Sequence, residues 1–260
     1  MSLEKAVTCT LASGATLAAV GGLSKLWMTV LGRTRIVNAD RLTRLVEDRP
    51  PDQPLITVAN HYACMDDPLL WAALPWRILL TKPCLMRWTL AARDIVFTRP
   101  SHQLFFGLGR CIPVDRGRGV YQEAMERCLE ILNQGGWVHM FPEGKVNLNK
   151  ETMRLKWGVG RLIADCRFTP KILPLHHLGF DEVLPNQKPY IPRVGRRATL
   201  VVGDLIEVDG TVQELKSSAA SDLEKRLVLT NLIQEKMRAL RRVAEDVHNS
   251  VSGNDVNCGQ

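Results

Sequence analysis

The sequence predicts an α/β fold in which helices flank a sheet. From residue 55 onward, short runs rich in Val, Ile and Leu alternate with stretches of helical periodicity, which is the pattern of such sheets. A chain of 260 residues with 45% hydrophobic content can bury one large core. A single compact domain with short extensions is therefore expected.

Five strands are predicted by their apolar content, at Leu55–Ala59, Cys111–Val114, Gly136–Phe141, Ile172–His176 and Ala198–Val202. Helices are predicted at 119–133 and 157–165, where apolar residues recur close to every 3.6 positions. Pro174 falls inside the fourth strand. Since proline cannot donate a ladder hydrogen bond, that strand is expected at a sheet edge or at a bulge.

A long amphipathic helix is predicted at 221–247. Its acidic and basic residues nearly balance, which favours packing on the domain over binding to a membrane. The residues expected on its buried side are Leu223, Leu227, Leu232, Ile233, Met237, Leu240 and Val243.

Residues 11–31 form an apolar stretch with a single charge, Lys25, and are about as long as a membrane span. Several Gly, Ser, Thr and Ala residues make the stretch only moderately hydrophobic. Basic residues flank it, and Trp27 sits where an interfacial aromatic side chain is expected. A helix lying in the membrane interface is favoured, with a full span or an ordinary buried helix as alternatives.

The formal charge of +7 indicates an anionic partner, which the charge alone does not identify. A nucleic acid is disfavoured, because Lys and Arg neither alternate with aromatic residues nor gather on a known reading module. The seven cysteines are scattered without a C-x-x-C pair or a Cys/His cluster. We therefore expect no metal site, no disulfide framework and reduced thiols.

The strongest chemical signal is Asn60-His61-Tyr62-Ala63-Cys64-Met65-Asp66-Asp67-Pro68, directly after the first predicted strand. Asp67 followed by Pro68 is typical of a helix start, with Asp67 as the capping residue. His61 and Asp66 would then flank one tight turn, where the carboxylate holds one ring nitrogen and the other nitrogen accepts a proton from a hydroxyl. A His and an Asp that merely hold a loop are the alternative.

Two further motifs follow strand ends. Arg116 comes just after Cys111–Val114 among glycines, where a guanidinium can grip a phosphate, although a solvated basic turn explains it as well. In Phe141-Pro142-Glu143-Gly144-Lys145, Glu143 can bond a substrate hydroxyl or orient a neighbour, Gly144 allows a ligand to approach the backbone, and Lys145 adds positive charge. A plain turn is the alternative for this motif.

The adjacent His176 and His177 make a poor metal pair, because neighbouring side chains on a strand point to opposite faces. Both are therefore interpreted as structural. A covalent serine mechanism is disfavoured, since no G-x-S-x-G nucleophile elbow occurs.

In order and spacing these blocks resemble the glycerolipid acyltransferase family, whose motifs are N-H-x-x-x-x-D, an Arg-containing segment, F-P-E-G and a late apolar strand with proline. The resemblance implies a glycerol-phosphate acyltransferase-like mixed sheet flanked by helices, with an N-terminal membrane-associated helix. Mapped onto this sequence, it makes His61 the catalytic base, Asp66 its partner, and Arg116, Glu143, Gly144 and Lys145 the substrate-binding positions. No cofactor and no metal are implied.

The family usually continues F-P-E-G with Thr-Arg, whereas this chain continues with Lys145-Val146-Asn147. In this departure, and in segments such as WVHMFPEGKVN and LKWGVGRLIADC, the chain resembles one branch of the family. The members of that branch transfer acyl chains between phospholipids and lysophospholipids without coenzyme A. For that branch the resemblance implies cardiolipin remodelling from monolysocardiolipin. It also implies a monotopic protein of the mitochondrial inner or outer membrane facing the intermembrane space, and leaves open an oligomer or a larger membrane complex.

The expected layout is a membrane-associated segment over 1–36, an acyltransferase domain over 37–215, the C-terminal helix over 216–248 and a flexible tail over 249–260. In the expected mechanism, His61 deprotonates a lysophospholipid hydroxyl, and N–H groups near Glu143 and Gly144 or at the helix start stabilise the oxyanion. An acyl-CoA-dependent lysophospholipid acyltransferase is the nearest alternative function. A non-catalytic membrane lipid-binding protein is the alternative of another class.

Overall fold

A seven-stranded sheet forms the centre of residues 10–250, the part of the chain that the computed structural model describes. Its strands are β1 (Arg33–Val37), β2 (Leu55–Ala59), β3 (Trp88–Ala92), β4 (Cys111–Val114), β5 (Trp137–Met140), β6 (Lys171–Leu178) and β7 (Arg197–Val202). Their spatial order is β1-β7-β6-β2-β5-β3-β4. Only β6 and β7 pair antiparallel, so the sheet is mixed, which confirms the expected fold class.

Helices cover both faces of this sheet: α1 (Leu11–Leu26), α2 (Ala39–Glu47), α3 (Asp66–Leu70), α4 (Trp76–Thr81), α5 (Arg93–Val96), α6 (Pro100–Leu108), α7 (Glu123–Asn133), α8 (Gly158–Asp165), α9 (Phe180–Val183), α10 (Asp209–Ser217) and α11 (Asp222–Ser250). The central strand β2 is buried along its whole length. Leu55 and Ala59 belong to one apolar cluster, and Ile56 and Val58 belong to the cluster on the opposite face. Side chains that alternate between the two faces of the strand thus contribute to two core layers.

The five predicted strands are all present, but β1 and β3 were not predicted. The sequence of β1, RTRIV, carries two arginines because this edge strand is partly exposed. The sequence of β3, WTLAA, ends in two alanines and is only partly buried. Neither run has the dense apolar content that makes a strand recognisable from sequence.

Pro174 lies in an interior strand, so of the two predicted locations, a sheet edge or a bulge, the edge is wrong. Its neighbour Leu175 pairs with Val202 of β7, while Ile172 forms an isolated bridge with Ile206. The segment after β7 therefore holds one residue more than β6 between these two pairs, which is the bulge that proline tolerates. The Pro174 carbonyl still accepts the N–H of Gly203 at 2.9 Å.

The long helix α11 packs against α8, β6 and β7. Its buried side comprises Arg226, Leu229, Thr230, Ile233, Met237, Leu240 and Ala244. Leu223 and Val243 were expected there but are 54% and 50% exposed. The buried face of the helix runs through Thr230 and Ala244 instead, and Leu223 and Val243 lie off that face. The helix continues to Ser250, so residues 249 and 250 of the predicted tail are helical, and 251–260 lie outside the described residues.

Helix α1 packs on the domain through small residues. Its buried positions are Ser13, Gly14, Leu17, Gly21 and Ser24, whereas Leu23 is 68% exposed. A Cβ atom at Gly21 would lie 3.0 Å from Leu79, so this glycine allows close packing against α4. Together with the π-helical turn Trp27–Leu31, the helix is long and apolar enough to cross a membrane by length and composition.

The carboxyl ends of β2, β3, β4, β5 and β6 meet at one edge of the sheet, which we call the carboxyl edge. Because β7 runs antiparallel to β6 and β1 runs parallel to β7, the amino ends of β1 and β7 also lie there. In α/β folds, ligand sites form outside the carboxyl ends of the strands. A ligand site is therefore expected among the loops at the carboxyl edge.

Candidate active site

His61 lies at the carboxyl edge, two residues after β2 ends. Its Nδ1 atom is 2.9 Å from Oδ2 of Asp66, and its side chain is 20% exposed. The ring stacks on Phe141, with 4.2 Å between centroids. Within residues 10–250, no hydrogen bond engages Nε2, so this nitrogen can meet a substrate.

The Asp66 carboxylate is fully buried and holds the loop as well as the histidine. Its Oδ2 atom accepts the backbone N–H groups of Tyr62 at 2.7 Å and Ala63 at 2.9 Å, and lies 3.2 Å from Nε2 of His177. Burial alone raises the pKa of Asp66, but the two histidines outweigh burial and lower it to about 2. The carboxylate is therefore ionised at neutral pH, and it fixes the Nδ1–H tautomer of His61.

Helix α3 begins at Asp66, and Asp67 does not cap it, so the predicted helix start is wrong in detail. The Asp67 carboxylate instead forms an ion pair with Arg87, which is buried just before β3. The Arg87 guanidinium also lies over the Trp71 ring, 5.5 Å from its centroid. Asp67 pairs with Arg87 and does not cap the helix, because leaving a buried cation unpaired costs about 3–5 kcal/mol.

Glu143 contacts the loop that carries His61. Its Oε1 atom accepts the backbone N–H of His61 at 3.0 Å, and the N–H of Asn147 bonds the His61 carbonyl at 2.6 Å. Burial raises the pKa of Glu143. Glu143 of the F-P-E-G turn and Asn147, three residues after that turn, therefore hold the two backbone groups of His61.

Gly144 adopts a positive φ of 73°, the left-handed conformation that favours glycine. Its N–H bonds the Phe141 carbonyl at 3.0 Å within the turn. The next residue, Lys145, is exposed at the carboxyl edge. This turn brings Glu143 against His61, and Gly144 and Lys145 follow Glu143 in the chain.

Arg116 follows β4 at the far end of the sheet. The strands β5 and β3 separate β4 from β2, so Arg116 and His61 are about three strand spacings apart, or roughly 14 Å. Arg116 forms an ion pair with Asp94, and Arg93 pairs with Asp115 at 3.0 Å. Thus the structure does not bring Arg116 against the His61–Asp66 pair.

His177 is the site residue that sequence reasoning missed. Both ring nitrogens of His176 lack a hydrogen-bond partner, and burial, His177 and Arg241 lower its pKa to about 3, in keeping with a structural role. His177 instead faces Asp66 from the next strand. Nothing in the local sequence distinguishes His177 from His176, because only the pairing register of β2 and β6 brings His177 to the loop that carries Asp66.

Of the described cysteines, Cys64, Cys111, Cys128 and Cys166 are free thiols, whereas Cys84 is disulfide-bonded, so the expectation of reduced thiols is wrong for Cys84. Over the described ranges, no three His, Cys, Asp or Glu side chains gather in a way that would hold a metal ion.

Residues 35–177, from β1 through His177, match the protein-family model described as Acyltransferase. The chain belongs to the acyltransferase family. It is 46% identical to tafazzin of Drosophila melanogaster over 88% of its own length, but it spans only 61% of the length of that relative. It is also 38% identical to taffazin of Dictyostelium discoideum over 78% of this chain and 73% of that protein.

A second kind of relative is N-acylphosphatidylethanolamine synthase of Arabidopsis thaliana, 43% identical over 74% of this chain and 69% of that protein. Among solved structures, the 1-acyl-sn-glycerophosphate acyltransferase PlsC of Thermotoga maritima superimposes with a TM-score of 0.57, covering 88% of this chain and 79% of the other. At 15% identity, this likeness supports the acyltransferase fold alone.

Proposed function

We propose that the chain is a phospholipid–lysophospholipid transacylase that remodels cardiolipin by acylating monolysocardiolipin without coenzyme A. The observation that carries the proposal is the 2.9 Å contact between His61 Nδ1 and an ionised Asp66, with the opposite ring nitrogen open at the carboxyl edge. The tafazzin relatives favour this branch of the family.

In the proposed mechanism, His61 Nε2 takes the proton from the free hydroxyl of the lysophospholipid as that oxygen attacks the acyl ester carbonyl of a donor phospholipid. Asp66 stabilises the imidazolium that forms. Collapse of the tetrahedral intermediate breaks the donor ester bond, and the departing oxygen takes the proton back from Nε2. One ester bond forms and one breaks, so no cofactor is required.

The substrate-binding roles are part of the proposal. Lys145, exposed two residues after Glu143, would contact a phosphate of the substrate, and Gly144 would let the acyl chain pass close to the backbone. Glu143 would act through the His61 backbone. Arg116 would contact a more distant headgroup phosphate, since the sheet order separates it from His61 by roughly 14 Å.

The deciding experiment supplies a phosphatidylcholine labelled in its acyl chain and monolysocardiolipin in bilayers, with and without coenzyme A. Label in cardiolipin without coenzyme A supports the proposal, whereas transfer only from acyl-CoA supports the acyl-CoA-dependent alternative. His61→Ala should lower the rate about 100-fold or more. His102→Ala, on α6 and outside the site, is the matched control and should retain the wild-type rate.

The Arabidopsis relative favours a second candidate, acyl transfer to the amine of phosphatidylethanolamine. The same base can remove a proton from an attacking amine, so the His61–Asp66 geometry does not distinguish the acceptors. Offering lysophospholipid and phosphatidylethanolamine in one vesicle distinguishes them, because the first yields an ester and the second an amide that resists mild alkali.

We also propose a monotopic location on mitochondrial membranes, facing the intermembrane space. Helix α1 touches α4 and α6, and all three expose apolar side chains. Leu104 on α6 is 66% exposed, and Phe105 is exposed beside it. We call this surface, formed by Leu23, Leu26, Trp76, Leu80, Leu104 and Phe105, the apolar face. Three contacting helices that each expose apolar side chains suit the acyl region of a bilayer.

Leu104→Glu tests this location. Burying a leucine-sized side chain is worth roughly 1.5–3 kcal/mol, so the substitution should weaken binding to cardiolipin-containing vesicles about tenfold or more. Leu223→Glu changes an equally apolar, exposed residue on α11 and serves as the control. Equal binding of both variants and the wild type in a vesicle flotation assay would contradict the membrane role of the apolar face.

A further inference from the structure

A second imidazole contacts Asp66, and the mechanism above does not use it. His177 is fully buried in β6, and its Nε2 atom lies 3.2 Å from Oδ2 of Asp66. The same nitrogen lies 3.0 Å from the backbone carbonyl oxygen of Asn60. Oδ2 of Asp66 is therefore shared between His61 and His177.

The two contacts assign the tautomer of His177. The Asn60 carbonyl and the Asp66 carboxylate are both acceptors, so Nε2 must carry a hydrogen to face them. Nδ1 of His177 is buried without a hydrogen-bond partner in the described part of the chain, where a second N–H would be unsatisfied. Nε2 of His177 thus carries a hydrogen and faces both the Asn60 carbonyl and the Asp66 carboxylate.

His177 is held firmly in place. Its backbone N–H donates to the Asn60 side-chain oxygen at 2.9 Å, and the Asn60 amide donates to the His177 carbonyl at 3.0 Å. Its ring stacks on Phe180 with 4.3 Å between centroids. A donor fixed on three sides presents Nε2–H to Asp66 at no further ordering cost.

We propose that His177 is a positioning residue that acts through Asp66, keeping the carboxylate oriented toward His61 and limiting how strongly it holds a proton on the His61 ring. This inference rests on the proposed function, since it assumes that His61 is the base. Without the His177 donor, the charge on Asp66 is less well satisfied and attracts the His61 proton more strongly. His61 is then in the form able to accept a substrate proton only at higher pH.

The test compares His177→Gln with His177→Asn. A glutamine amide nitrogen can take the place of the imidazole Nε2, whereas an asparagine amide nitrogen reaches only the place of Nδ1. We expect His177→Asn to lower kcat on the order of tenfold with KM nearly unchanged, and to move the acid limb of the kcat/KM profile to higher pH. His177→Gln should recover most of both losses.

His176→Gln is the matched control, because it removes a neighbouring buried imidazole that does not touch Asp66. It should leave the pH profile at the wild-type position. If the Gln and Asn variants of His177 have the same rate and the same pH profile, whether wild-type or reduced, the positioning role is overturned. A fall in thermal stability shared by all three variants would be a packing effect and does not enter this comparison.

A substrate-free readout separates this inference from the proposed function. In protein labelled with ¹⁵N-histidine, the NMR titration of His61 should move to higher pH in His177→Asn and return in His177→Gln. If the wild type transfers no acyl chain yet this shift appears, the proposed function fails while the coupling through Asp66 stands. If transfer occurs and the titration does not move, the role of His177 fails alone.

Discussion

Replacing Asp66 with asparagine would remove the charge beside His61 while keeping the shape of the side chain. Oδ2 of Asp66 faces four nitrogen donors, those of His61, Tyr62, Ala63 and His177. Oδ1 has no partner within residues 10–250. The asparagine oxygen should therefore occupy the Oδ2 position, and the His61 tautomer should be retained.

The expected loss comes from the missing charge. Two unit charges about 4 Å apart at an effective dielectric constant of about 20 attract by roughly 4 kcal/mol, which corresponds to about a thousandfold in rate. Since Asp66 is fully buried and cannot reach the substrate, the loss should fall on kcat and leave KM nearly unchanged.

The assay is acyl transfer from labelled phosphatidylcholine to monolysocardiolipin in bilayers, with Asp67→Asn as the control. Asp67 pairs with Arg87 and not with His61, so its variant should lose stability but keep kcat within tenfold of the wild type. If Asp66→Asn also stays within tenfold of the wild type, the reasoning that an ionised carboxylate stabilises the imidazolium is refuted.

Three further outcomes follow from the same contacts. Glu143→Ala should lower kcat about tenfold through loss of the charge-assisted bond to the His61 N–H, and Glu143→Gln should restore most of it in the transfer assay. Gly160→Ala should destabilise the fold by about 1–3 kcal/mol in thermal unfolding, because its Cβ would lie 2.3 Å from the Arg226 carbonyl on α11. The pKa of Asp66 is lowered to about 2, so its stabilisation is present above pH 4 and is lost as pH falls toward 2. Acid unfolding of Asp66→Asn should lack that component.

The central strands could be predicted from local sequence, because both of their faces are buried and their residues are apolar. The run Leu55–Ala59 is apolar throughout and matches β2 as predicted. Local sequence did not predict β1, whose arginines are tolerated because the strand lies at the sheet edge. It also did not predict that Pro174 lies in an interior strand, because this depends on a bulge formed with a segment about 30 residues away. Edge, interior and bulge are properties of the assembled sheet.

The loop sequence alone predicts the His61–Asp66 pair, because a separation of five residues in one loop suffices to bring the imidazole and the carboxylate into contact. The sequence also predicts the Glu143 turn, which follows directly from a strand end. Three other features became visible only in the folded protein: Asp67 pairs with Arg87, Arg116 lies at the far end of the sheet, and His177 reaches Asp66. A turn fixes the positions of residues close together along the chain, whereas strand order and register determine which distant side chains contact the same buried charge.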